Sequence, residues 1–440
     1  MYAKREEDIE GQMKNLRAVC YSNSMTSQSP MAYVRLIAPF NQAGMEIING
    51  YHNSYLTVET LHNADFVLFH REIDIQHDDY IKVVELARKE RKPIVLDLDD
   101  LLFFIPQDHP DRLYYDSLLT PTLQALKDSD LITVSTSKLR DVLVNFHKNV
   151  VVLPNYFDDH LWVLKPPMIR DSASDVLTIG YMGTKSHKPD LEYLIPVLLE
   201  IIEQYPQKVC FLFWGVQPPD ELISLPQVKW ISRYLTPYKD FASFFQTQSA
   251  DIFIGPLVDN LFNRCKSPIK FFEYSSLGAP GIYSRLEPYE EVVTHGKNGL
   301  LASSLDEWKD SLIQLIEDNE LRHRLATNAQ ASIKQKYLLS KNAFRWADTY
   351  KSISETVKKH DKGDPKESHT RTILLQILET AIALSEQAAD KDHAIQTLTT
   401  QLSQAEIEIE QLRAEVLKYA LSKSWRITRP FRKLMGKLER

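Results

Sequence analysis

The chain of 440 residues has few glycines, few cysteines and no long apolar run, and each shortage excludes a class of protein. Its 13 glycines argue against long flexible linkers. Cys20, Cys210 and Cys265 are widely spaced and form no CxxC pair, which indicates reduced thiols in a cytoplasmic protein rather than a disulfide framework. No apolar run approaches the ~20 residues that cross a bilayer, and the charged N-terminus has no signal-peptide core. We therefore expect any membrane contact to be peripheral.

An excess of positive charge is missing as well. The 52 Lys and Arg residues stand against 59 Asp and Glu residues, so the net charge is −7, and we expect no nucleic-acid partner. Apolar residues make up 43% and charged residues 25% of the chain, which is the balance of a soluble globular protein. At roughly 150 residues per domain, the length allows two or three domains.

Short apolar runs alternate with helical patterns in two series, which predicts an α/β protein with two Rossmann-like domains that face each other across a cleft. Five runs in the first series and six in the second are predicted to be strands. They are 18–22, 66–69, 93–98, 131–135 and 150–153 in the first series, and 177–182, 208–215, 228–232, 251–257, 280–284 and 299–302 in the second. These runs are continuous, as parallel strands covered on both faces are. A polar, Pro-containing stretch separates the series, and we predict domains at 1–155 and 156–357. Ligands of open α/β sheets bind at the carboxyl ends of strands, so the cleft is the expected site.

The composition changes towards the C-terminus. Residues 358–370 are charged, contain Gly and Pro, and are predicted to form a linker. Between 374 and 419 an apolar heptad pattern, interrupted only by Lys391, predicts a coiled coil within 371–421 that joins copies of the chain. The alternative is a helix packed on its own body. The tail, 422–440, mixes seven basic residues with aromatic and aliphatic ones, which suits an anionic membrane surface or a partner better than a solvated helix end.

The segment NRCKSPIKFFEYSSLGAPGIYS (263–284) combines cations and an acid with an apolar helical pattern. We predict Lys266 near the start of this helix, where an ammonium and the free N–H groups of the first turn favour a phosphate. Glu273 follows two turns later on roughly the same face and can accept hydrogen bonds from the two hydroxyls of a ribose. Lys270 could instead pair with Glu273, and the alternative to a site is an amphipathic helix with solvated charges.

A second phosphate signal is the segment GYMGTKSHKPDLEYL (180–194). Gly180 and Gly183 come at the end of a predicted strand, where glycines let the backbone approach a phosphate closely. Lys185, His187 and Lys188 add positive character. The glycines alone are a weak signal, because the segment does not fit G-x-G-x-x-G.

Together, residues 177–350 resemble the nucleotide-sugar-binding half of bacterial family 4 glycosyltransferases of the GT-B fold. The resemblance rests on IGYMGTKSHKPD, ADIFIGPL, FNRCKSPIKFFEYSSLGAPGIYS and YEEVVTHGKNGLLA, in that order. NAFRWADTYKSI (342–353) is similar to the helix that crosses back to the N-terminal domain. The match is looser at VLDLDDLLFFIPQDHP (95–110) and VLPNYFD (152–158). The ending SWRITRPFR after a coiled coil is similar to endings found in bacterial surface polysaccharide assembly.

The resemblance implies a retaining glycosyltransferase that requires no metal and no cofactor besides its co-substrate. Residues 156–357 would hold a nucleotide diphosphate sugar, and residues 1–155 would hold a polysaccharide, lipid-linked or protein acceptor of bacterial surface glycan assembly. We expect such a protein in the cytoplasm, peripheral to the inner membrane. One alternative is a catalytically inactive GT-B scaffold that recruits partners through its coiled coil and tail. Another is metal-dependent phosphoryl chemistry at the acids of 97–100.

The resemblance also implies roles for individual residues. Glu273 matches the second acid of the family's E-x7-E motif, which holds the donor ribose, and Cys265 stands where the first acid is expected. Lys266 is a catalytic candidate as well as a binding residue, because a cation stabilises the charge that develops on a leaving diphosphate. The contacts of the lost acid are expected to come from Asn263, Lys266 and Ser267. The diphosphate is expected to be neutralised by Lys266, with Lys185 or Lys188. Gly183 and Thr184 are expected to add backbone or hydroxyl contacts.

In the first half, the candidates follow predicted strands. The run LDLDD (96–100) brings three acids to the cleft side. We predict that Asp100 and His109 are catalytic residues, which orient an acceptor hydroxyl or act as a local base. A divalent cation held by the acids is the alternative. Arg35 is a candidate contact to an acceptor or a donor phosphate, and the alternative is a surface residue. His70 and His109 are candidate contacts to the substrate, and the alternative for each is a structural histidine.

Overall fold

The computed structural model describes residues 16–26, 28–52, 55–71, 73–167, 176–233 and 237–359. Among the described residues, contacts group 16–140 and 149–359 into one compact unit, and 141–148 fall outside it. Two parallel β-sheets belong to the compact unit, and its predicted division into two domains remains a prediction. The predicted coiled coil, the basic tail and most of the predicted linker lie outside the described residues, so they also remain predictions.

The first sheet has six parallel strands in the order β2-β1-β5-β6-β7-β8. The five strands predicted here are confirmed, and the edge strand β2, with the short sequence EIIN, is an addition. The register places His70 beside Asp97, and Asp97 beside Thr133, so polar groups meet in the middle of this sheet. The bounds are β1 Arg17–Tyr21, β2 Glu46–Asn49, β5 Phe66–His70, β6 Ile94–Leu98, β7 Leu131–Val134 and β8 Val150–Val152. A separate antiparallel pair consists of β3 Tyr51–His52 and β4 Tyr55–Leu56.

The second sheet repeats this architecture, with six parallel strands in the order β11-β10-β9-β12-β13-β14. All six strands predicted for this half are confirmed. Most strand residues in both sheets are buried, because helices cover both faces of a parallel sheet. The bounds are β9 Leu177–Gly183, β10 Val209–Gly215, β11 Val228–Ile231, β12 Ile252–Gly255, β13 Gly281–Ser284 and β14 Leu300–Ala302.

Helices connect the strands of both sheets. In the first half they are α1 Asn23–Thr26; α2, which comprises Pro30–Ala32, the π-helical turn Tyr33–Ile37 and Ala38–Gln42; α3 His77–Lys89; α4 Arg112–Ser117; α5 Leu119–Asp128; and α6 Ser137–Leu143. In the second half they are α7 Lys188–Glu192, α8 Ile195–Gln204, α9 Asp220–Ile223, α10 Tyr238–Phe245, α11 Leu261–Arg264, α12 Ile269–Ser276, α13 Glu287–Glu290, α14 Leu305–Glu317, α15 Asn319–Ser332, α16 Leu339–Asn342 and α17 Phe344–Lys359. Short 3₁₀-helices are Glu59–Asn63 and Lys185–His187, and a second π-helical turn is Ile333–Tyr337.

The late helix α17 packs against elements of the first sheet. The ring centroid of Tyr350 lies 4.8 Å from that of Phe66 on β5 and 5.6 Å from that of Phe40 on α2. Trp346 is fully buried, and its Nε1 donates to the Arg35 carbonyl at 3.1 Å. The chain therefore returns to the first sheet after it completes the second.

Candidate functional site

Two short helices follow β12 at the carboxyl end of the second sheet. The first is α11, and the second, α12, begins at Ile269 after its N-cap residue, Pro268. A proline has no N–H to donate and fixes its own φ, so it favours a helix that starts at this point. Lys266 therefore lies in the bend between the helices. The prediction that Lys266 and Glu273 share one helix face, two turns apart, is wrong.

Glu273 is buried within α12, with an exposed fraction of 4%. Its Oε1 accepts a hydrogen bond from the Tyr238 hydroxyl at 2.8 Å, and its Oε2 has no partner within the described part of the chain. Burial raises the pKa of the Glu273 carboxyl to about 7, against the opposing effects of the Tyr238 hydrogen bond and the Lys270 ammonium. A buried acceptor without a donor is costly, so Oε2 is a candidate acceptor for a ligand hydroxyl. The alternative of an amphipathic helix with solvated charges is wrong for Glu273.

Lys270 does not bond to Glu273. Its Nζ lies 3.0 Å from Nε2 of His187, whose Nδ1 lies 2.8 Å from Oδ2 of Asp190. Oδ1 of Asp190 in turn accepts from the backbone N–H of Val258 at 2.8 Å. This chain of contacts connects the loop after β9 with the loop after β12, and it presents the Lys270 ammonium between them.

Lys266, Asp100 and His109 lie together where the loops after β6 and β12 meet. Nζ of Lys266 lies 4.0 Å from Oδ2 of Asp100 and 4.4 Å from the ring centroid of Phe262. The His109 ring centroid lies 5.6 Å from the same phenyl ring. Burial, followed by repulsion from Lys266, lowers the pKa of His109, so the imidazole is neutral at pH 7 and can accept a proton. The structure brings the three predicted catalytic residues together, and their roles stay predictions.

The end of β9 and the loop after it contribute Gly183, Thr184 and Lys185. Nζ of Lys185 lies 2.6 Å from Oδ1 of Asp111, next to the Asp100–His109 region, and most of this lysine side chain is exposed. The Thr184 hydroxyl contacts that of Ser186 at 2.9 Å. A Cβ on Gly183 would lie 2.6 Å from the Tyr181 hydroxyl, so packing against this ring already favours a glycine here. The loop therefore faces the first sheet, and its exposed ammonium is paired with Asp111.

The predicted replacements for the lost acid are engaged within the protein. Asn263 is buried, and its Nδ2 donates to Oδ1 of Asp190 and to the Val258 carbonyl, each at 2.9 Å. The Ser267 hydroxyl accepts from Nδ2 of Asn155 at 2.8 Å. Cys265 is fully buried, and its carbonyl accepts from the Thr136 hydroxyl at 2.8 Å. In this structure, these three residues hold the loop after β12 in place.

Arg35 is not available to a ligand, so the prediction that it contacts an acceptor or a donor phosphate is wrong. Its side chain is fully buried, with Nε 3.0 Å from Oδ1 of Asp97 and Nη2 2.6 Å from Oδ2. Its Nη1 donates to Oδ1 of Asn155 at 3.0 Å and also to the Leu153 carbonyl. Burial alone would raise the pKa of Asp97, but Arg35 and the hydrogen bond from His70 outweigh it and hold this pKa well below its usual range.

The other acids after β6 differ in their surroundings. Asp99 is buried, and Nη1 of Arg71 contacts both of its carboxylate oxygens. The same Nη1 lies 3.8 Å from Oδ2 of Asp100. Because Asp97 and Asp99 are bound by arginines, Asp100 is the acid of this run that faces Lys266. Across the part of the chain that the structure describes, no group of three or more His, Cys, Asp or Glu side chains could hold a metal ion.

The residues around Lys266 and Glu273 lie in a segment that matches a known sequence family. Residues 174–318 match the family model described as Glycosyl transferases group 1. This segment is similar to glycosyltransferase group 1 domains. It contains all six strands of the second sheet and the segments that carry Lys185, Lys266, Lys270 and Glu273. Among proteins with curated functions, none matches the sequence.

Solved structures similar to this protein include several glycosyltransferases. Sucrose-phosphate synthase of Thermosynechococcus elongatus has 12% identity and a TM-score of 0.55, over 78% of this chain and 100% of its own. HepE of Anabaena, in complex with UDP and glucose, has 15% identity and a TM-score of 0.52, over 77% and 100%. A glycosyltransferase of Rickettsia africae has 11% identity and a TM-score of 0.51, over 77% and 98%. At such identities the similarity shows the fold, which is the α/β fold with parallel sheets of GT-B glycosyltransferases.

Asp190 and Tyr238 contact the predicted site residues, and the sequence did not single them out. Asp190 follows His187 at the i, i+3 spacing near a helix start, and this spacing is a local signal that could have paired them. Tyr238 lies 35 residues before Glu273 in the chain, and no local pattern connects the two.

Proposed function

We propose that this protein is a glycosyltransferase that moves a sugar from a nucleotide diphosphate donor to an acceptor hydroxyl. The donor diphosphate lies at Lys266, and the donor ribose donates hydrogen bonds to the Glu273 carboxylate. Asp100 orients the acceptor hydroxyl, and the neutral His109 accepts or relays a proton. Lys266 stabilises the negative charge on the departing nucleoside diphosphate, which is the largest contribution expected from the protein.

The observation that carries this proposal is the position of Lys266. Its side chain is 13% exposed and lies over Phe262, so its ammonium has lost most of its water. It sits in the segment that matches the glycosyltransferase group 1 family, yet it faces Asp100 from the first sheet. A desolvated cation where two parallel sheets present their carboxyl ends is suited to a phosphate.

Finer parts of the proposal rest on the sequence resemblance. They are retention of configuration without a metal, and a polysaccharide, lipid-linked or protein acceptor in bacterial surface glycan assembly. Self-association through 374–419 and contact of 422–440 with the inner membrane belong to the same proposal. Separately, none of the described helices combines the length and the apolar character needed to cross a membrane.

Donor binding and turnover test the proposal. Thermal shifts are measured for the full chain with UDP, GDP, dTDP and CMP sugars, because a ligand of the folded state raises its melting temperature. We expect one class to bind, and Lys266→Ala to weaken its binding about 10- to 100-fold, because a charge-assisted phosphate contact is lost. Lys309→Ala is the matched control, since Lys309 on α14 pairs with Glu200 on α8.

The outcomes separate this proposal from the scaffold alternative. Binding followed by release of the nucleoside diphosphate in the presence of an acceptor supports a transferase. Binding without turnover across acceptor classes favours a scaffold. Equal affinity in Lys266→Ala and wild type contradicts the proposed site.

A further inference from the structure

Lys270 is a buried lysine that bonds to a histidine rather than to a carboxylate. It lies in the first turn of α12 with an exposed fraction of 7%, and its Nζ is 3.0 Å from Nε2 of His187. Its ammonium also lies 5.7 Å from the ring centroid of Tyr181 on β9. A lysine buried in this way is costly unless a negative charge compensates it. An anion bound beside Lys270 would therefore stabilise its buried ammonium.

The hydrogen bonds around His187 define its protonation state. Oδ2 of Asp190 accepts the proton on Nδ1 at 2.8 Å, so Nε2 carries the lone pair that accepts from Lys270. Burial, followed by repulsion from Lys270, lowers the pKa of His187 to about 4. His187 is therefore neutral, and it orients Lys270 rather than adding positive charge to the loop. Asp190 is itself fixed by the Val258 amide and by Asn263.

Lys266 and Lys270 are near enough for their positive charges to repel each other. Burial, followed by repulsion from Lys266, lowers the pKa of Lys270 to about 8. The acids that face Lys270 from three elements are Asp190, Glu273 and Asp100, and their attraction does not outweigh burial and Lys266. Two desolvated ammonium groups that repel each other are unfavourable unless an anion lies near both. An anion bound between them attracts both ammonium groups and so offsets their mutual repulsion.

We propose that Lys270 is a second phosphate-contacting cation of the donor site, and that His187 and Asp190 are the positioning residues that aim it. The inference rests on the proposed function, since its ligand is the diphosphate of the nucleotide sugar. It assigns this role to Lys270 rather than to Lys188, which is exposed and lies 3.6 Å from Glu192. A bound diphosphate stabilises the protonated form of Lys270, so binding near pH 8 draws a proton from the buffer.

Calorimetric titration of the full chain tests the inference. The probes are UDP, GDP, dTDP and ADP, with the matching nucleosides, at pH 8 in two buffers of different ionisation enthalpy. For wild type we expect one diphosphate to bind with uptake of up to about half a proton, because Lys270 is about half protonated there. Lys270→Met should bind that diphosphate about 10- to 100-fold more weakly and without this uptake, while nucleoside affinity stays unchanged.

Two further variants address the positioning role and the control. His187→Leu should weaken diphosphate binding and change the pH profile of binding. His187→Gln keeps an acceptor for Lys270, so it should have the affinity and the pH profile of wild type. Lys309→Met, on α14, should behave as wild type.

The results distinguish this inference from the proposed function. If no diphosphate binds wild type, the proposed function fails, and the inference fails with it. If wild type binds a diphosphate without proton uptake, or Lys270→Met binds it as tightly as wild type, the inference alone is overturned. The proton uptake of wild type on diphosphate binding tests the role of Lys270 even if Lys270→Met does not fold.

Discussion

Glu273 is the residue whose surroundings make the clearest prediction about stability. Its pKa in the folded protein is about 7, above the ordinary 4.5, because burial disfavours the charged form. Below pH 4.5 the carboxyl is protonated in both states, so burial carries no charge penalty. As the pH rises to 7 the unfolded chain ionises first, so the free energy of unfolding falls, by about 3 kcal/mol in total.

Replacement of Glu273 by glutamine removes this titration. We expect Glu273→Gln to gain stability relative to wild type as the pH rises from 4.5 to 8, by about 3 kcal/mol across that window. Chemical denaturation at both pH values measures the difference.

Glu317→Gln is the matched control for this prediction. Its Oε1 also accepts from a tyrosine hydroxyl, that of Tyr205 at 2.6 Å, but the pair is exposed. The stability difference between Glu317→Gln and wild type should change little with pH. The account of Glu273 is wrong if the two variants show the same pH dependence.

The sequence predicted which residues belong to the site better than it predicted their hydrogen-bond partners. The sequence identified Lys266 and Glu273, because charges in an apolar helix pattern are visible locally. It did not predict that Arg35 would bond to Asp97, which is 62 residues away, or that Thr136 would bond to the Cys265 carbonyl, 129 residues away. Such pairs depend on how sheets and loops meet in three dimensions, and no spacing rule contains that information.

At the scale of elements, Gly278 determines how α12 ends. Its φ is +79°, and a Cβ there would lie 2.7 Å from the Pro166 carbonyl oxygen and 2.9 Å from that of Lys165. Both obstacles are backbone atoms, so a side chain at this position forces the 165–166 segment away from α12. That movement breaks the hydrogen bond from the Lys165 amide to the Ser276 carbonyl, now 2.8 Å.

Gly296 offers a matched comparison for a substitution of Gly278. Its φ is +73°, but nothing lies within 4 Å of a Cβ there. Gly296→Ala should cost about 1–2 kcal/mol of unfolding free energy, from backbone strain alone. Gly278→Ala should cost about 1–3 kcal/mol more, because overpacking adds to the strain. Denaturant titration measures both values. Equal losses of unfolding free energy in the two variants would show that the contact with residues 165–166 does not restrict the side chain at position 278.

The elements themselves were largely visible in the sequence. Continuous apolar runs identified eleven of the twelve strands in the two six-stranded sheets, because burial on both faces leaves a clear pattern. The start of α12 was predicted too early, although Pro268 is a signal for a start immediately after it. The edge strand β2 has only four residues, of which Glu46 and Asn49 are polar, so periodicity could not distinguish it from a loop.

At the scale of the whole molecule, the account depends on the two parallel sheets presenting their carboxyl-end loops to one ligand. Lys266 and Lys270 come from the second sheet, and Asp100 and His109 come from the first. The sequence predicted two α/β series, because each is a local alternation of strands and helices. The contacts between them, such as Lys185 with Asp111, required the structure.

A crystal structure of the full chain, bound to the nucleotide sugar that gives the largest thermal shift, tests the central claim most directly. The account predicts the diphosphate within hydrogen-bond distance of Nζ of both Lys266 and Lys270, with a ribose hydroxyl donating to Oε2 of Glu273. Density for the nucleotide at any other place on the protein, with these three side chains untouched, would contradict it.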